Sequence, residues 1–147
     1  MAEGLSEGSR LGRFGHRRRA VEMEGVVSEC YCDWDAPTFY HRENRTARKP
    51  HKCDECGSSI SPGERYEHVR GKWDGDVGVF KTCPRCLALR EFVVAHVPCS
   101  CWAHGNMREE VLADAEHYGM QAPGLWFGAL RREIHIRKHR EQQRIIT

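Results

Sequence analysis

Long apolar runs are missing from this sequence. The longest fall far short of the roughly 20 residues that a membrane-spanning helix needs, and the opening MAEGLSEGSRLGRFGHRRRAVEMEG has no apolar centre of the secretory type. The expectation is therefore a soluble, intracellular protein with no membrane partner. Strong core formers are also scarce: Leu, Ile, Val and Phe together make 27 of 147 residues, roughly 18%, a share that in a highly charged chain points toward disorder. Net charge is only +2, so wholesale disorder is not implied. The scarcity instead implies an apolar core too thin to hold a fold alone, in a chain whose length suits one modest domain rather than two.

Cysteine is the residue present in excess, with eight in the chain. With no export signal the thiols should meet a reducing pool, where spaced cysteines read as metal ligands before disulfides. Cys53 and Cys56 form CDEC, Cys83 and Cys86 form CPRC, and 26 residues separate the pairs. A C-x2-C loop lets two thiolates converge on one cation, and two such loops complete a tetrahedral site. Zinc fits the soft tetrahedral set best, with iron the alternative for four thiolates. A closed four-thiolate site leaves no position for water or substrate, so its role should be structural. Amide groups at a helix N-terminus and the cations Lys52, Lys81 and Arg85 are expected to help keep the thiolates deprotonated.

A second set comprises Cys30 and Cys32 in ECYCDWD with Cys99 and Cys101 in PCSCWAH. These predict a second four-cysteine site, making one or two zinc ions in all. His104 competes as a ligand, because it follows Cys101 at metal-ligand spacing and neutral imidazole binds zinc; its other reading is a residue hydrogen-bonded locally at a helix entry. His96 reads as a satisfied core histidine and His51 as solvated.

Residues 1–25, rich in Gly, Ser, Arg and Glu, predict a flexible basic arm. Residues 26–118 read as the zinc-binding domain and 119–147 as a basic helical extension. Asp74-Gly75 between alternating segments predicts a tight hairpin with strands near 65–73 and 76–82. Pro84 opens a predicted helix with Cys86, Leu89, Val93, His96 and Val97 on one face. Asn106 should cap the next helix, with Glu109 reciprocating and Gly119 as the stop; Met107, Val111, Ala115 and Tyr118 recur along it. The last segment begins as a helix through Trp126, Leu130 and Ile134, but Ile134 and Ile136 also alternate like a strand. The fold class is therefore α+β: a zinc-stabilised knuckle, hairpin and helix followed by further helices, in a layout that resembles a treble-clef zinc finger.

The run HKCDECGSSISPGERYEHVRGKWDGDVGVFKTCPRCLALR also resembles a group of small, mostly uncharacterised proteins encoded by bacteriophages and prophages. The matching residues are Cys53 and Cys56, Pro62 to Glu64, Tyr66 to Val69, Gly71 to Gly75, and Lys81 to Cys86. The resemblance implies a phage origin, a zinc role and a place in the cytoplasm of an infected or lysogenic bacterial cell. It implies no particular reaction and does not reach residues 1–50 or 120–147.

Charge segregation suggests the function. Five arginines and no acid lie between Arg10 and Arg19, and residues 41–52 and 129–147 each carry a net +4, whereas residues 105–124 carry −3. Guanidinium suits bidentate phosphate contact, so Arg17, Arg18, Arg19, Arg131, Arg132, Arg137, Lys138 and Arg140 are the candidate nucleic-acid contacts of a non-catalytic zinc protein. A second reading is a module that binds a host protein through Trp73, Trp126 and Phe127. A third is a divergent treble-clef nuclease, weakened because CLALR after the second cysteine pair offers no adjacent histidine base, His68 lies on a strand, and Asp74 and Asp76 are explained by the turn. No small-molecule substrate is inferred, and no catalytic residue.

Overall fold

Asp74 and Gly75 both adopt positive φ, 51° and 89°, the backbone twist that joins two strands through a two-residue loop. The strands it joins, β4 (Arg65–Trp73) and β5 (Asp76–Thr82), occupy the residues that the sequence alternation predicts. The computed structural model describes residues 37–146. The basic arm with Arg17, Arg18 and Arg19, and the first C-x-C pair, Cys30 and Cys32, lie outside that span.

The architecture is α+β. Strands β1 (Phe39–Thr46), β2 (His51–Lys52) and β3 (Ser59–Ile60) precede the hairpin, and helices α1 (Pro84–His96), α2 (Met107–Gly119) and α3 (Pro123–Ile146) follow it. The main sheet is antiparallel in the order β1-β4-β5, while β2 and β3 form a two-stranded ribbon. Strand β1 has no signature in the sequence. Its residues FYHRENRT are mostly exposed and show no alternation; pairing with β4, from Phe39↔Lys72 to Thr46↔Arg65, is what makes them a strand. Period-two geometry sends Val69, Trp73 and Phe80 to the inner face, and His68, Arg70, Val79 and Lys81 to the outer one.

Helix α1 begins where Pro84 fits the first helical turn. Cys86, Leu89, Val93 and Val97 are buried as expected, but His96 is exposed, with its Nδ1 2.7 Å from the Phe92 carbonyl oxygen. The core-histidine reading of His96 is therefore corrected: an imidazole at the last turn reaches a local acceptor without burial.

Helix α2 has the predicted bounds but not the predicted cap. Asn106 makes no capping side-chain bond; the Glu55 carboxylate accepts the N–H groups of Gly105 and Met107 at 2.7 and 3.0 Å. Gly119 is the last helical residue, at a position where a Cβ would stand 2.6 Å from the Trp126 Cβ, and Tyr118 is exposed.

Helix α3 is continuous for 24 residues, so the alternation of Ile134 and Ile136 does not signal a strand. Its buried stripe is Leu125, Ala129, Glu133 and Ile136, one register away from the Trp126, Leu130 and Ile134 stripe expected. The polar Glu133 disguises that face, because its carboxylate is paired with Arg108. Leu125, Ala129 and Ile136 join Leu89, Val93, Met107, Val111 and Ala115 in one core, so part of the segment read as a basic extension packs with α1 and α2. No helix among the described residues is long and apolar enough to cross a membrane.

Candidate metal centre

Two short segments present the cysteines. In the first, the N–H of Cys53 donates to the Ser58 carbonyl and that of Gly57 to the Cys53 carbonyl. Gly57 holds φ at 77°, a conformation that favours glycine, and the chain folds back so that Cys53 and Cys56 face one way. The second pair starts at Cys83, the N-cap of α1, and continues one turn later at Cys86. Asp54 joins the two: its N–H donates to the Lys81 carbonyl at 2.8 Å and its carboxylate accepts the Lys81 N–H at 2.6 Å. The knuckle is thus tied to the strand that delivers Cys83.

All four side chains are buried and their sulfurs lie within 4.8 Å of one another. Cys53 and Cys86 sulfurs are 3.9 Å apart, Cys56 and Cys83 3.8 Å. Disulfide sulfurs would sit at about 2.05 Å, and none of the four is disulfide-bonded. A tetrahedron with metal–sulfur bonds of about 2.3 Å has sulfur–sulfur edges of about 3.8 Å. The separations therefore fit four sulfurs around one ion. Backbone N–H groups of Glu55 and Cys83 point at the Cys53 sulfur, at 3.4 and 3.3 Å, donors suited to a thiolate. The thiols influence one another strongly: hydrogen bonds from neighbouring sulfurs push Cys56 and Cys83 down and raise Cys53 and Cys86. A divalent cation is the group that can offset four thiolate charges packed this closely.

The surrounding charges differ in part from those expected. Arg85 pairs with Glu64 at 3.1 Å. Arg108 instead responds to the cluster: burial works against its charge, while Glu133 and then the Cys86 and Cys56 sulfurs hold its guanidinium above the ordinary range. Sequence reasoning missed Arg108 because its spacing from the cysteines carries no signal. Glu55, inside the CDEC loop, was missed likewise; burial pushes its carboxyl up to about 7 despite the two N–H donors of the α2 entry.

Among the described residues, the four cysteines 53, 56, 83 and 86 are the group able to hold an ion. His104 lies elsewhere, buried in an aromatic box. Phe80 stacks on it at 4.8 Å between centroids, Trp102 meets it edge-on at 5.0 Å, and Tyr40 and Trp73 complete the walls. Burial, then the Arg90 charge, pushes its imidazole down to about 3. Beneath the box, Arg90 forms a two-pronged pair with Glu67 at 3.0 and 2.6 Å and stands 4.7 Å over the Trp102 ring. The Cys99 and Cys101 sulfurs lie 3.6 Å apart, and Cys30 and Cys32, predicted to complete a second site with them, lie outside the described residues.

The candidate nucleic-acid residues on α3 divide. Arg131, Arg137 and Lys138 are exposed. Arg132 lies 3.9 Å over the Phe92 ring and donates to the Gly128 carbonyl, so packing engages it. Arg140 lines a hollow of about 600 Å³ with Lys52, Cys56 and Arg144. Of the proposed aromatic anchors, Trp73 is buried, Trp126 is half-buried and Phe127 is exposed. His51 is half-buried, its ring 5.2 Å from that of Tyr66. His68 does lie on a strand, and Asp74 does form the turn. Comparison with protein families, curated proteins and solved structures finds no match for the chain; the resemblance to phage-encoded proteins rests on its motif residues alone.

Proposed function

We propose that the protein is a non-catalytic, phage-type accessory factor whose four-cysteine centre holds one zinc ion and whose basic surfaces contact nucleic acid. The observation that carries this reading is the shared hollow of Cys56, Lys52, Arg140 and Arg144, in which the end of the basic helix stands beside the metal knuckle. Reciprocal bonds hold the helix there: the Gln143 amide accepts the Ser59 N–H at 2.7 Å and donates to the Ser59 carbonyl at 3.0 Å. Zinc, with four soft ligands and no open position, organises the surface and takes no part in a reaction.

The test is binding of labelled single-stranded DNA across a salt series. Affinity of the wild type should fall steeply with salt, and changing Lys138, Arg140 and Arg144 to Ala should weaken binding and flatten the logarithmic slope by about 0.7 per phosphate contact removed. Affinity independent of salt would overturn the reading. The host-protein alternative finds some support in exposed Phe39, Val77 and Val79 on the outer sheet face; its test is a stoichiometric complex formed through Phe39 in the absence of nucleic acid.

A further inference from the structure

The strands and the β1–β2 loop build a second basic hollow, of about 820 Å³, on the outer face of the sheet; its lining includes Arg45, Arg48, Lys49, His68 and Lys81. Register explains the convergence. His68 sits between Glu43 and Lys81 across the three strands, Arg45 is opposite Tyr66, and the loop carrying Arg48 and Lys49 rises beside them. Tyr66 is buried and gives the hollow a firm floor against the His51 ring.

Four cations, Arg45, Arg48, Lys49 and Lys81, line this space, and two acids approach them: Asp54, whose carboxylate accepts the Lys81 backbone N–H, and Glu43 at the edge. Glu43 is already taken by His41 and Arg45. No carboxylate among the described residues forms an ion pair with Arg48, Lys49 or Lys81. Such a concentration of like charge in a concavity costs energy unless an anion relieves it. His68 adds a second sign: its Nδ1 is enclosed and has no hydrogen-bond partner. Burial, then Arg45 and Lys81, hold its imidazole below the ordinary range, as expected where positive potential accumulates.

We propose that this hollow binds a phosphate group of a nucleic-acid backbone, with Arg48, Lys49 and Lys81 as its principal contacts. The inference rests on the nucleic-acid reading but uses none of the α3 residues whose substitution tests that reading. The hollow is open and wide enough for a phosphodiester with its flanking sugars, and its flexible Lys and Arg donors position a backbone without reading bases.

The test uses the full chain and a fluorescein-labelled single-stranded DNA of about 16 nucleotides, within the range of one such groove. Anisotropy is followed over a salt series for the wild type, for Arg48→Ala with Lys49→Ala, for Lys81→Ala, and for the Lys138, Arg140 and Arg144 variant. Metal content and amide spectra report that each variant is folded. The double variant should bind about tenfold more weakly, with a salt slope reduced by about 1.4, the loss expected for two single-strand phosphate contacts; Lys81→Ala should lose about half that slope. Hollow variants that match the wild type while the α3 variant weakens would overturn this site and leave the wider reading standing. Absence of DNA binding in the wild type would overturn both. Inorganic phosphate that shifts the His68 ring resonances of a chain that binds no DNA would assign the hollow to a small phosphate ligand and overturn the backbone assignment.

Discussion

The Glu55 carboxylate accepts the backbone N–H of Met107 at 3.0 Å, so a residue inside the first cysteine loop caps a helix that begins on the far side of the second. The same carboxylate takes the Gly105 N–H. The link makes the geometry of the metal knuckle and the docking of α2 interdependent.

Removing it should therefore act as the loss of a helix cap does. Glu55→Ala is expected to destabilise the fold by about 1 kcal/mol, read by denaturant titration at constant metal content. Glu55→Gln, which keeps an acceptor oxygen, should lose less. Equal stability of Glu55→Ala and the wild type would show that α2 is capped by other means.

Arg90 and Glu67 are both about 5% exposed and hold each other in the ionised state. Burial alone would raise the Glu67 carboxyl, but the Arg90 bonds and charge keep it below the ordinary range. Arg90→Met leaves that carboxylate buried without its partner and should cost about 3–5 kcal/mol. The double variant Arg90→Met with Glu67→Leu should recover much of the loss, since an apolar pair of similar size needs no counter-charge. Strict additivity in this double-mutant cycle would speak against the buried-pair account.

His104 supplies the pH dependence. Its imidazole titrates near 3 in the folded chain against 6.5 for the free group, so the unfolded chain takes up the proton first. The stability from this site is complete above pH about 6.5 and is lost as pH falls toward 3, at about 1.4 kcal/mol per unit. Thiolate protonation adds a loss of its own in every variant. The difference between wild type and His104→Phe isolates the histidine: the variant should show a shallower fall in stability between about pH 6 and about pH 4. Parallel curves would refute the assignment.

These relationships also explain what the sequence could and could not convey. The hairpin was legible because Asp74 and Gly75 announce a local turn, and α1 because Pro84 and the Leu89, Val93 and Val97 stripe are local too. The four-cysteine centre was legible from two C-x2-C pairs, each of which fixes its own geometry. The features that escaped depend on partners distant in the chain. The Asn106 cap failed because Glu55 arrives from 52 residues away. The α3 face was misplaced because Glu133 is made buriable by Arg108, which no periodicity reveals. Strand β1 carries little apolar pattern and exists through its register with β4. The basic hollow escaped for the same reason: Arg45, His68 and Lys81 lie on three strands, and only their pairing brings them together.

If Cys53, Cys56, Cys83 and Cys86 hold one zinc ion on which the fold depends, removing two of the four ligands must remove both the ion and the cooperative fold. Native mass spectrometry of protein purified without chelator is the decisive measurement, comparing the wild type with Cys53→Ser combined with Cys86→Ser. The double variant should carry one zinc fewer per chain and lose its cooperative unfolding transition, because structural zinc contributes roughly 10–16 kcal/mol of apparent binding energy to such a site. Equal zinc content in the two proteins, or a metal-free wild type that is fully folded with these four thiols open to titration, would refute the zinc assignment.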